Sequence, residues 1–436
     1  MNLEMSGKER EELLHQLLNM GENMLSCGGE VSRVEGTLVR MGYAYGASRM
    51  NVFVITSSMV ITMSFPDREE YTQTRRLSDS GATDFEKLEA YNALSRKVCK
   101  EPVPVEELRS RIKKTQEDAD PSQLQMYLGC MLGAGAFAIF FGGGILDGIV
   151  AGICGLLVRF LQEKLAPYCS GKMIYHVLTA FISGLVIGFL GSMIPGLHLD
   201  KILIGDIMLM IPGIAMTSSV RDVFVGDTIA GLLRLVETLL WAAALAAGIM
   251  LALTLIRLIP SAILFSQAVT DVVPAAGFAA ASGTRLSAGT AIVQLITGAL
   301  GSLGFSMMFH LRKKLMVWTA IGGIVCWGIY ILFDSFTPGV FLACLAASAV
   351  CGFYGEILAR MLKVPATILF IPTMVPLIPG GSLYYTMAAT VQSEWSSASF
   401  YAGRTIQYVL AIAIGISLVW AFYYMLRMVK TRRNGT

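Results

Sequence analysis

Polar and apolar residues in the first 117 positions alternate with the periods of short helices and strands. Apolar residues recur every three or four positions in four segments, which we predict to be amphipathic helices: 8–26, 30–45, 84–100 and 105–117. Gly28-Gly29 separates the first two, as expected of a glycine helix end. Three β-branched or alternating runs predict strands: 50–56, 59–65 and 71–77. This pattern indicates a small α+β domain with a short meander.

Beyond this region the pattern changes to long apolar segments that recur along the rest of the chain. A helix needs about 20 mainly apolar residues to cross a bilayer. We predict ten membrane-spanning helices: 126–145, 146–162, 174–194, 202–219, 236–258, 290–309, 315–333, 338–358, 366–390 and 405–426. Residues 260–288 are compatible with a loop, a re-entrant segment or a short helix. The predicted fold is an all-α polytopic membrane protein with a small N-terminal α+β domain.

Composition and charge agree with this division. Hydrophobic residues make up 54% of the chain and charged residues 15%, compared with about 25% charged residues in soluble proteins. The predicted spans place fourteen Lys and Arg residues in the loops and tail on the side of the N-terminus, and four on the other side. Because Lys-rich and Arg-rich loops stay in the cytosol, both chain ends are predicted to be cytosolic. The N-terminus lacks an apolar core, so no signal peptide is expected.

Several functional classes find no support in the sequence. The eight cysteines form no CxxC pair and the histidines have no partner at ligand spacing, so neither a metal nor a cofactor is predicted. No basic block is long enough to indicate nucleic-acid binding. The sequence shows no nucleophile–base arrangement and no phosphate loop, because GAGAFAIFFGGG lies inside an apolar run. We therefore do not expect an enzyme.

Two short patterns occur twice in the apolar region, in the same order. GFLG at 188–191 returns as GFYG at 352–355, and an Ile-Pro-Gly follows each, at 211–213 and 378–380. Chance similarity between apolar segments is the alternative, but the shared order and spacing favour a true repeat. Five spans per copy require the copies to have opposite orientations, as in many secondary transporters. The predicted domains are 1–122 (cytosolic), 123–259 (first five-helix repeat), 260–288 (linker or re-entrant segment) and 289–436 (second five-helix repeat).

These patterns resemble the threonine/serine exporter family over nearly the whole chain. The resemblance is carried by LLNMGENMLSCGGEVSRVEGTLVRMGYAYG near the N-terminus and by IGDIMLMIPGIAMTSSVRDVFVGDTIAGLLRLVETLL at 204–240. GALGSLGFSMMF and VPLIPGG in the second half are similar to the family's smaller companion domain. The resemblance implies a bacterial inner-membrane exporter of threonine and serine that is driven by the proton gradient. A split relative is associated with dicarboxylate export, which implies succinate as an alternative substrate.

Asp206 is the leading candidate for a functional residue. The motif residues to which the resemblance points are Gly29, Glu30, Arg33 and Glu35 in the N-terminal domain, and Asp206, Pro212, Gly213, Arg221, Asp222, Asp227 and Glu237 in the membrane part. An ionised carboxylate in hydrocarbon costs several kcal/mol unless it is paired or hydrated. We therefore predict that Asp206 carries a proton or binds the ammonium group of a substrate. The alternative is an interfacial carboxylate near Lys201.

Two Pro-Gly pairs are predicted to interrupt helices, because proline removes a backbone donor and glycine frees the backbone. They are Pro212-Gly213 and Pro379-Gly380. Irregular backbone at membrane depth is tolerated where it lines a cavity, and helix N-termini there attract carboxylates. We expect such ends near Thr217, Ser218 and Ser382 to bind a substrate carboxylate. A simple proline kink, or a turn at the end of a span, is the alternative.

Charged residues follow the first Pro-Gly pair. Arg221 and Asp222, together with Asp227, could form a gate, although a solvated loop is equally compatible with the sequence. Glu237 lies three residues after Arg234 on one helical face. We expect a salt bridge between them in preference to a proton relay.

The other charged candidates lie near the ends of predicted spans. Glu356 has Arg360 at i+4, which favours a structural pair. Asp147 lies beside a glycine turn, where we expect water to reach it, and Arg404 lies near the outer end of the last span. His310 is a lone histidine that we expect at an interface, and the same holds for His176.

The N-terminal motif allows two interpretations. Glu30 and Arg33 are three residues apart near a helix start and can pair, with Glu35 close by. A capped, solvent-facing helix is favoured over a regulatory contact with the membrane part. The expected partners of the protein are an amino-acid substrate, protons and the lipid bilayer, and a homo-oligomer is left open. A dicarboxylate exporter, a channel, and a membrane-anchored enzyme or sensor that uses the N-terminal domain are the competing classes.

Overall fold

The computed structural model describes residues 5–55, 57–77, 83–117, 122–169, 171–211, 213–258, 287–337 and 339–434. The chain forms two compact units. The first unit comprises Met1–Ser122 and the short segment Phe309–Arg312, and the second comprises Gln123–Met308 and Lys313–Thr436. Pro212 and residues 259–286, which include nearly all of the segment predicted as a linker or re-entrant element, lie outside the described residues.

Helices and a small sheet make up the described part of the first unit. The helices are α1 (Gly7–Ser26), α2 (Val31–Ala44), α3 (Phe85–Lys100) and α4 (Val105–Glu117). The strands are β1 (Arg49–Ile55), β2 (Ser58–Ser64) and β3 (Glu70–Arg76). The sheet is antiparallel in the order β1-β2-β3, with Val52 opposite Ile61 and Ile61 opposite Gln73. The predicted α+β meander is confirmed, because each element lies within one residue of its predicted position.

One face of the sheet supplies the core of the first unit. Met59 and Ile61 alternate along β2 and are fully buried, whereas the residues between them are partly exposed. This is the period of a strand with one face against a core. At the start of α1, Ser6 and Glu9 form a capping box in which each side chain accepts a backbone N–H of the other. Gly28 has a φ of +92°, a left-handed conformation that ends helices at little cost.

The described residues of the second unit are helical, and the same order of elements occurs twice. The first set is α5 (Gln123–Phe140), α6 (Ile145–Lys164), α7 (Lys172–Met193), α8 (Leu199–Met208), α9 (Gly213–Val225) and α10 (Thr228–Leu258). The second set is α11 (Ala288–Met308), α12 (Lys313–Phe336), α13 (Val340–Leu362), α14 (Ala366–Thr373), α15 (Gly380–Val391) and α16 (Trp395–Asn434). Each set has three long helices, two short helices that meet at an Ile-Pro-Gly, and one long helix.

Eight of the described helices are long and apolar enough to cross a membrane: α5, α6, α7, α10, α11, α12, α13 and α16. α14 and the helical stretch Val375–Thr390, which meet at a bend of 47°, would together make a ninth span. α8 has 10 residues and α9 has 13, so at 1.5 Å per residue each is shorter than the ~30 Å hydrocarbon core. The span predicted over 202–219 is thus divided into two short helices, with the break at the Pro212-Gly213 pair that was predicted to interrupt it. The length and composition of the helices identify a multi-pass membrane protein.

The first glycine of each GF(L/Y)G pattern packs against the last long helix of its own set. Gly188 of α7 faces the side chain of Ile256 in α10, and Gly352 of α13 faces Val419 in α16. A Cβ at Gly352 would lie 3.1 Å from the Val419 side chain, and a Cβ at Gly188 would overlap Ile256. Glycine at both positions therefore allows the close approach of two helices.

The last glycine of each pattern packs against the first short helix of its own set. Gly191 of α7 faces Leu199 of α8, and Gly355 of α13 faces Phe370 of α14. A Cβ at Gly355 would lie 2.9 Å from Cβ of Phe370, and a Cβ at Gly191 would overlap Leu199. Two glycines one helical turn apart thus fix the short helix and the final helix against the same neighbour.

Candidate functional site

The two helix breaks are in contact with each other. α8 ends at Met208 and α9 begins at Gly213, while α15 begins at Gly380 after a 3₁₀ turn over Val375–Leu377. A Cβ at Gly213 would overlap Ile378, and a Cβ at Gly380 would overlap Met208. The two interruptions therefore occur where the Pro-Gly pairs predict them, and each glycine accommodates a side chain from the other break.

Asp206 lies deep inside the second unit. Its side chain is 1% exposed, and neither of its oxygen atoms accepts a hydrogen bond from a described residue. α8 packs against α5 and α6, and Gly205 approaches the carbonyl of Ala134 so closely that a side chain could not fit. An ionised carboxylate without partners is costly in such surroundings, whereas a neutral carboxyl group costs far less. The arrangement suits a carboxyl group that holds a proton while the breaks are in contact.

A small cavity lies between α9 and the second set of helices. Its volume is about 20 Å³, and it is lined by Thr217, Ser218, Arg221, Phe370, Ile371, Met374, Ile378, Ile412 and Ile416. A volume of this size holds about one water molecule. A cavity thus lies beside Thr217 and Ser218, but it is mainly apolar and too small for an amino acid, so the predicted substrate site stays a prediction. The Thr217 hydroxyl donates to the carbonyl of Gly213 at 2.9 Å.

Ser382 and Arg404 lie on neighbouring helices of the second set. The Ser382 hydroxyl donates to the carbonyl of Pro379 at 3.2 Å and accepts from the Thr405 hydroxyl at 3.2 Å. Arg404 is buried, with its guanidinium 5.0 Å from the centre of the Phe400 ring. The helix N-terminus that begins at Gly380 is thus next to two hydroxyl groups, those of Ser382 and Thr405, and both a helix N-terminus and a hydroxyl group can bind a carboxylate.

Asp222 is the centre of a buried ion cluster. Its two carboxylate oxygens accept from Arg221 at 3.2 Å and from Arg234 at 3.1 Å, and its carbonyl accepts the N–H of Asp227 at 2.9 Å. The predicted salt bridge between Arg234 and Glu237 is wrong, since Glu237 is exposed and forms no ion pair with a described residue. Asp222 is the stronger partner because a buried carboxylate needs its charge compensated.

The structure confirms the environment predicted for Glu356 but not the one predicted for Asp147. Glu356 lies 3.7 Å from Arg360 at i+4, which confirms the predicted pair. Asp147, in contrast, is buried, so the expected access to water is wrong. It caps α6 by accepting the N–H of Gly144 at 2.7 Å, and it also accepts the N–H of His198 at 2.9 Å. The His198 ring nitrogen Nδ1 lies 2.8 Å from the same carboxylate.

A polar contact that the sequence did not predict also joins the two sets of helices. Lys201, in the first turns of α8, donates to the hydroxyl of Tyr385 in α15 at 3.1 Å. The Tyr385 hydroxyl donates in turn to Asp200 at 3.2 Å, and Lys201 lies 2.8 Å from Asp200. The sequence signal was present, since Asp200 and Lys201 directly precede the apolar segment that contains Asp206. A tyrosine in an apolar segment, however, gives no signal of its own in the sequence.

The predicted N-terminal motif residues hold α2 in place within the first unit. Glu30 and Arg33 form the predicted pair at 3.2 Å. Glu35 accepts the backbone N–H of Val54 at 2.8 Å and thereby fixes α2 to the edge strand β1. Gly29 leaves no room for a Cβ, which would lie 2.6 Å from the carbonyl of Met24. These contacts explain the residues by local structure alone.

Within the described residues, no group of three His, Cys, Asp or Glu side chains could hold a metal ion. All eight cysteines are free. The chemistry available at the breaks therefore consists of a buried carboxyl group, helix N-termini, hydroxyl groups and arginines.

Known proteins resemble this chain along most of its length. The threonine/serine exporter family model matches residues 15–256, more than half of the chain, and a second model, threonine/serine exporter ThrE, matches residues 294–422. The threonine/serine exporter of Corynebacterium glutamicum is 23% identical over 385 residues, which cover 86% of this chain and 75% of the relative. A protein of Klebsiella aerogenes named probable succinate transporter subunit is 23% identical over 235 residues, 53% of this chain and 89% of the relative. No solved structure matches the chain.

The two family matches divide the chain at the same place as the two sets of helices. The first match ends within α10, and the second begins within α11 and ends within α16. Each match includes three long helices, a broken pair and a final long helix. On this evidence the chain belongs to the threonine/serine exporter family.

Proposed function

We propose that the protein is a secondary exporter of the small hydroxy amino acids threonine and serine, driven by the proton gradient across a bacterial inner membrane. Family membership supports export of this class of substrate. The observation that carries the coupling is Asp206, a fully buried carboxyl group with no hydrogen-bond partner among the described residues. The excess of Lys and Arg in the loops on the N-terminal side supports a cytosolic location for both chain ends and the first unit.

The two sets of helices in this proposal are inverted copies of one unit. Each broken pair counts as one crossing, so each copy crosses the membrane five times and the second copy is turned over. The equivalent glycine contacts support this relationship: Gly188 and Gly352 each face the last helix of their own set, and Gly191 and Gly355 each face the first short helix. Residues 260–288 would then join the two copies.

Transport requires the two breaks to separate. In the closed arrangement Gly213 receives Ile378 and Gly380 receives Met208, so the path beside Asp206 is filled by side chains. When one copy rocks against the other, water reaches Asp206 from one side at a time and the carboxyl group exchanges its proton. The ionised carboxylate then attracts the ammonium group of the substrate, and reprotonation releases it. Proton and substrate thus compete for one carboxylate.

The substrate carboxylate needs a separate site. The N-termini of α9 and α15 begin at Gly213 and Gly380, on either side of the contact between the breaks. Positive helix ends attract carboxylates, and the neighbouring hydroxyl groups of Thr217 and Ser382 can donate to them. Short hydroxy amino acids fit this combination because one small molecule presents an ammonium, a carboxylate and a hydroxyl group.

The test is flux of labelled threonine and serine in liposomes that contain the purified protein, with and without a pH gradient. We expect the gradient to accelerate flux of both amino acids. Asp206→Asn removes the proton site with almost no change in volume, so the variant should insert normally and lose the response to the gradient. Glu394→Gln is the matched control, because it neutralises an exposed carboxylate in the same unit that belongs to none of the candidate sites, and it should leave flux unchanged.

Two outcomes would overturn the proposal. The first is threonine flux that ignores the pH gradient in the wild-type protein. The second is an Asp206→Asn variant that still responds fully to the gradient.

Export of a small dicarboxylate is the second candidate function. Arg221 lines the cavity and Arg404 is buried on α16, and two cations of this kind would suit two carboxylates. The relative named probable succinate transporter subunit supports this class. Labelled succinate in the same liposomes distinguishes the two candidates. Succinate flux that exceeds threonine flux, and that falls in Arg404→Gln, would favour the dicarboxylate.

A further inference from the structure

A short loop of the transporter belongs to the first unit. Phe309–Arg312 joins α11 to α12, yet its four residues pack with the N-terminal part of the chain. The carbonyl of Phe309 accepts the N–H of Phe85 at 3.0 Å, and the two phenyl rings lie 5.3 Å apart. Leu311 is buried. The start of α3 therefore holds the loop through both backbone and side-chain contacts.

His310 is placed between two carboxylates at the centre of this contact. Its Nδ1 atom lies 3.1 Å from Asp84, and its Nε2 atom lies 3.5 Å from Glu86. The residue is buried and has a φ of +50°, a conformation that is uncommon outside glycine. The surrounding structure therefore holds His310 in a strained backbone conformation. In this conformation both ring nitrogens lie against carboxylates.

Asp84 is itself fixed in position, which makes the site rigid on one side. Its carboxylate accepts the N–H of Lys87 at 3.0 Å and so caps α3, and its own N–H donates to the carbonyl of Cys27 at 3.3 Å. A neutral imidazole has one N–H, whereas an imidazolium has two. Only the protonated form of His310 can donate to both Asp84 and Glu86.

The charged surroundings favour protonated His310 overall. The titratable and charged groups around it are Cys27, Asp84, Glu86, Lys87, Glu89, Tyr91 and Arg312. Arg312 lies 3.0 Å from Glu89 and 3.7 Å from Glu86, so the loop brings two cations to a group of acids. The hydrogen bond with Asp84 raises the pKa of His310 above its ordinary value, against the opposing effects of burial and of Lys87.

We propose that His310 is a pH-dependent positioning residue that fastens the loop between α11 and α12 to the first unit while both ring nitrogens carry protons. The pKa of His310 in the folded protein lies above the ordinary value of about 6.5. The attachment of the loop is therefore at full strength below about pH 6.5 and weakens as the pH rises through the pKa of the folded protein. The loop is continuous with two membrane helices, so its release changes how firmly their ends are held. This role does not depend on which substrate is carried.

Deuterium exchange of the full-length protein in nanodiscs tests the attachment directly. The Phe85 amide reports the loop, because it donates to Phe309. After correction for intrinsic exchange, we expect its exchange to rise about tenfold between pH 6 and pH 8.5, the effect of losing one charge-assisted hydrogen bond. His310→Asn should exchange rapidly at both pH values, since asparagine tolerates the backbone conformation and carries no charge. His15→Asn, at an exposed histidine of the same unit, should behave as wild type.

Glu86→Gln provides a second variant that is safe for folding, because Glu86 is partly exposed. It removes the partner of Nε2 and should move the midpoint of the exchange transition to lower pH. Corrected exchange of Phe85 that does not change with pH in the wild-type protein would overturn the proposal. So would an unchanged pH response in His310→Asn. Neither result depends on flux, so failure here is separable from failure of the transport proposal.

Discussion

The two broken helices share a shape and differ in chemistry. Counting back six residues from each proline leads to Asp206 in the first and to Thr373 in the second. Both side chains are buried. Thr373 donates to the carbonyl of Leu369 at 2.9 Å, so its hydroxyl is satisfied within its own helix, while the oxygens of Asp206 have no donor among the described residues.

The difference between Thr373 and Asp206 distinguishes residues that the fold explains from residues that only transport explains. A threonine can bond to the carbonyl four residues back at almost any buried helical position, so burial alone accounts for Thr373. A carboxylate has no such internal solution, and an unpaired one lowers stability. A break of this shape is thus compatible with a neutral residue at this place, and the carboxyl group in the first set of helices requires a functional explanation.

Exchanging the chemistry of the two positions should give the largest effect. Asp206→Thr makes the first break resemble the second, and we expect proton-driven threonine flux in liposomes to fall at least about 100-fold, since several kcal/mol of charge interaction are lost. Thr373→Val is the matched control and should reduce flux less than about threefold, because it removes one internal hydrogen bond. A larger loss in Thr373→Val than in Asp206→Thr would invert the comparison.

The reciprocal glycine contacts offer the next test. Gly213→Leu and Gly380→Leu each insert a side chain where the other break already places one, so we expect either variant to lower flux at least about tenfold by forcing the breaks apart. Gly403→Leu is the control, because a Cβ there meets nothing within 4 Å. The amount of protein that inserts into the membrane is measured alongside. If only one of the two variants loses flux, the contact is not symmetric in function.

Tyr385→Phe should have a moderate effect. It removes the hydroxyl that bridges Lys201 and Asp200 between α8 and α15, and we expect flux to change about fivefold, the value of one hydrogen bond of about 1 kcal/mol. Tyr401→Phe changes a neighbouring ring, 5.2 Å away, whose hydroxyl makes no hydrogen bond with a described residue. Equal flux in the two variants would show that the hydrogen-bonded bridge between α8 and α15 makes no contribution to transport.

The smallest effect is expected at Glu356, which belongs to an ion pair in the second set of helices. Glu356→Gln should change the melting temperature and the flux very little, because partly exposed i,i+4 pairs contribute only about 0.3–0.5 kcal/mol. Thermal unfolding of the variant and of Arg360→Gln measures this. A loss of flux that approaches that of Asp206→Thr would show that transport also depends on an ionisable residue in the second set of helices.

Sequence patterns predicted features that depend on near neighbours. The helices and strands of the first unit follow from apolar periodicity, and the interruptions at Gly213 and Gly380 follow from the backbone chemistry of Pro-Gly pairs. Contacts between distant segments were not predictable in this way. Asp147 was expected in water because its partner, His198, lies 51 residues away in the chain.

The same limit explains the other differences. Arg234 was paired with the nearest acid, Glu237, although the more buried Asp222 competes more strongly for it. His310 had no visible partner because Asp84 is 226 residues away. The size of the cavity was also beyond prediction, since it depends on whether the two breaks touch in the conformation adopted.

The membership of Phe309–Arg312 in the first unit has a consequence for biosynthesis. The ribosome completes residues 1–122 early, but must still make residues 123–308 before the loop that finishes the unit exists. At 5–20 residues per second this takes roughly 10–40 s, during which the nascent chain is also being inserted into the membrane. During that interval Asp84 and Glu86 lack their contacts with His310. A newly made N-terminal unit is therefore incomplete until five of the eight described membrane-length helices have been made, and quality control can act on it throughout.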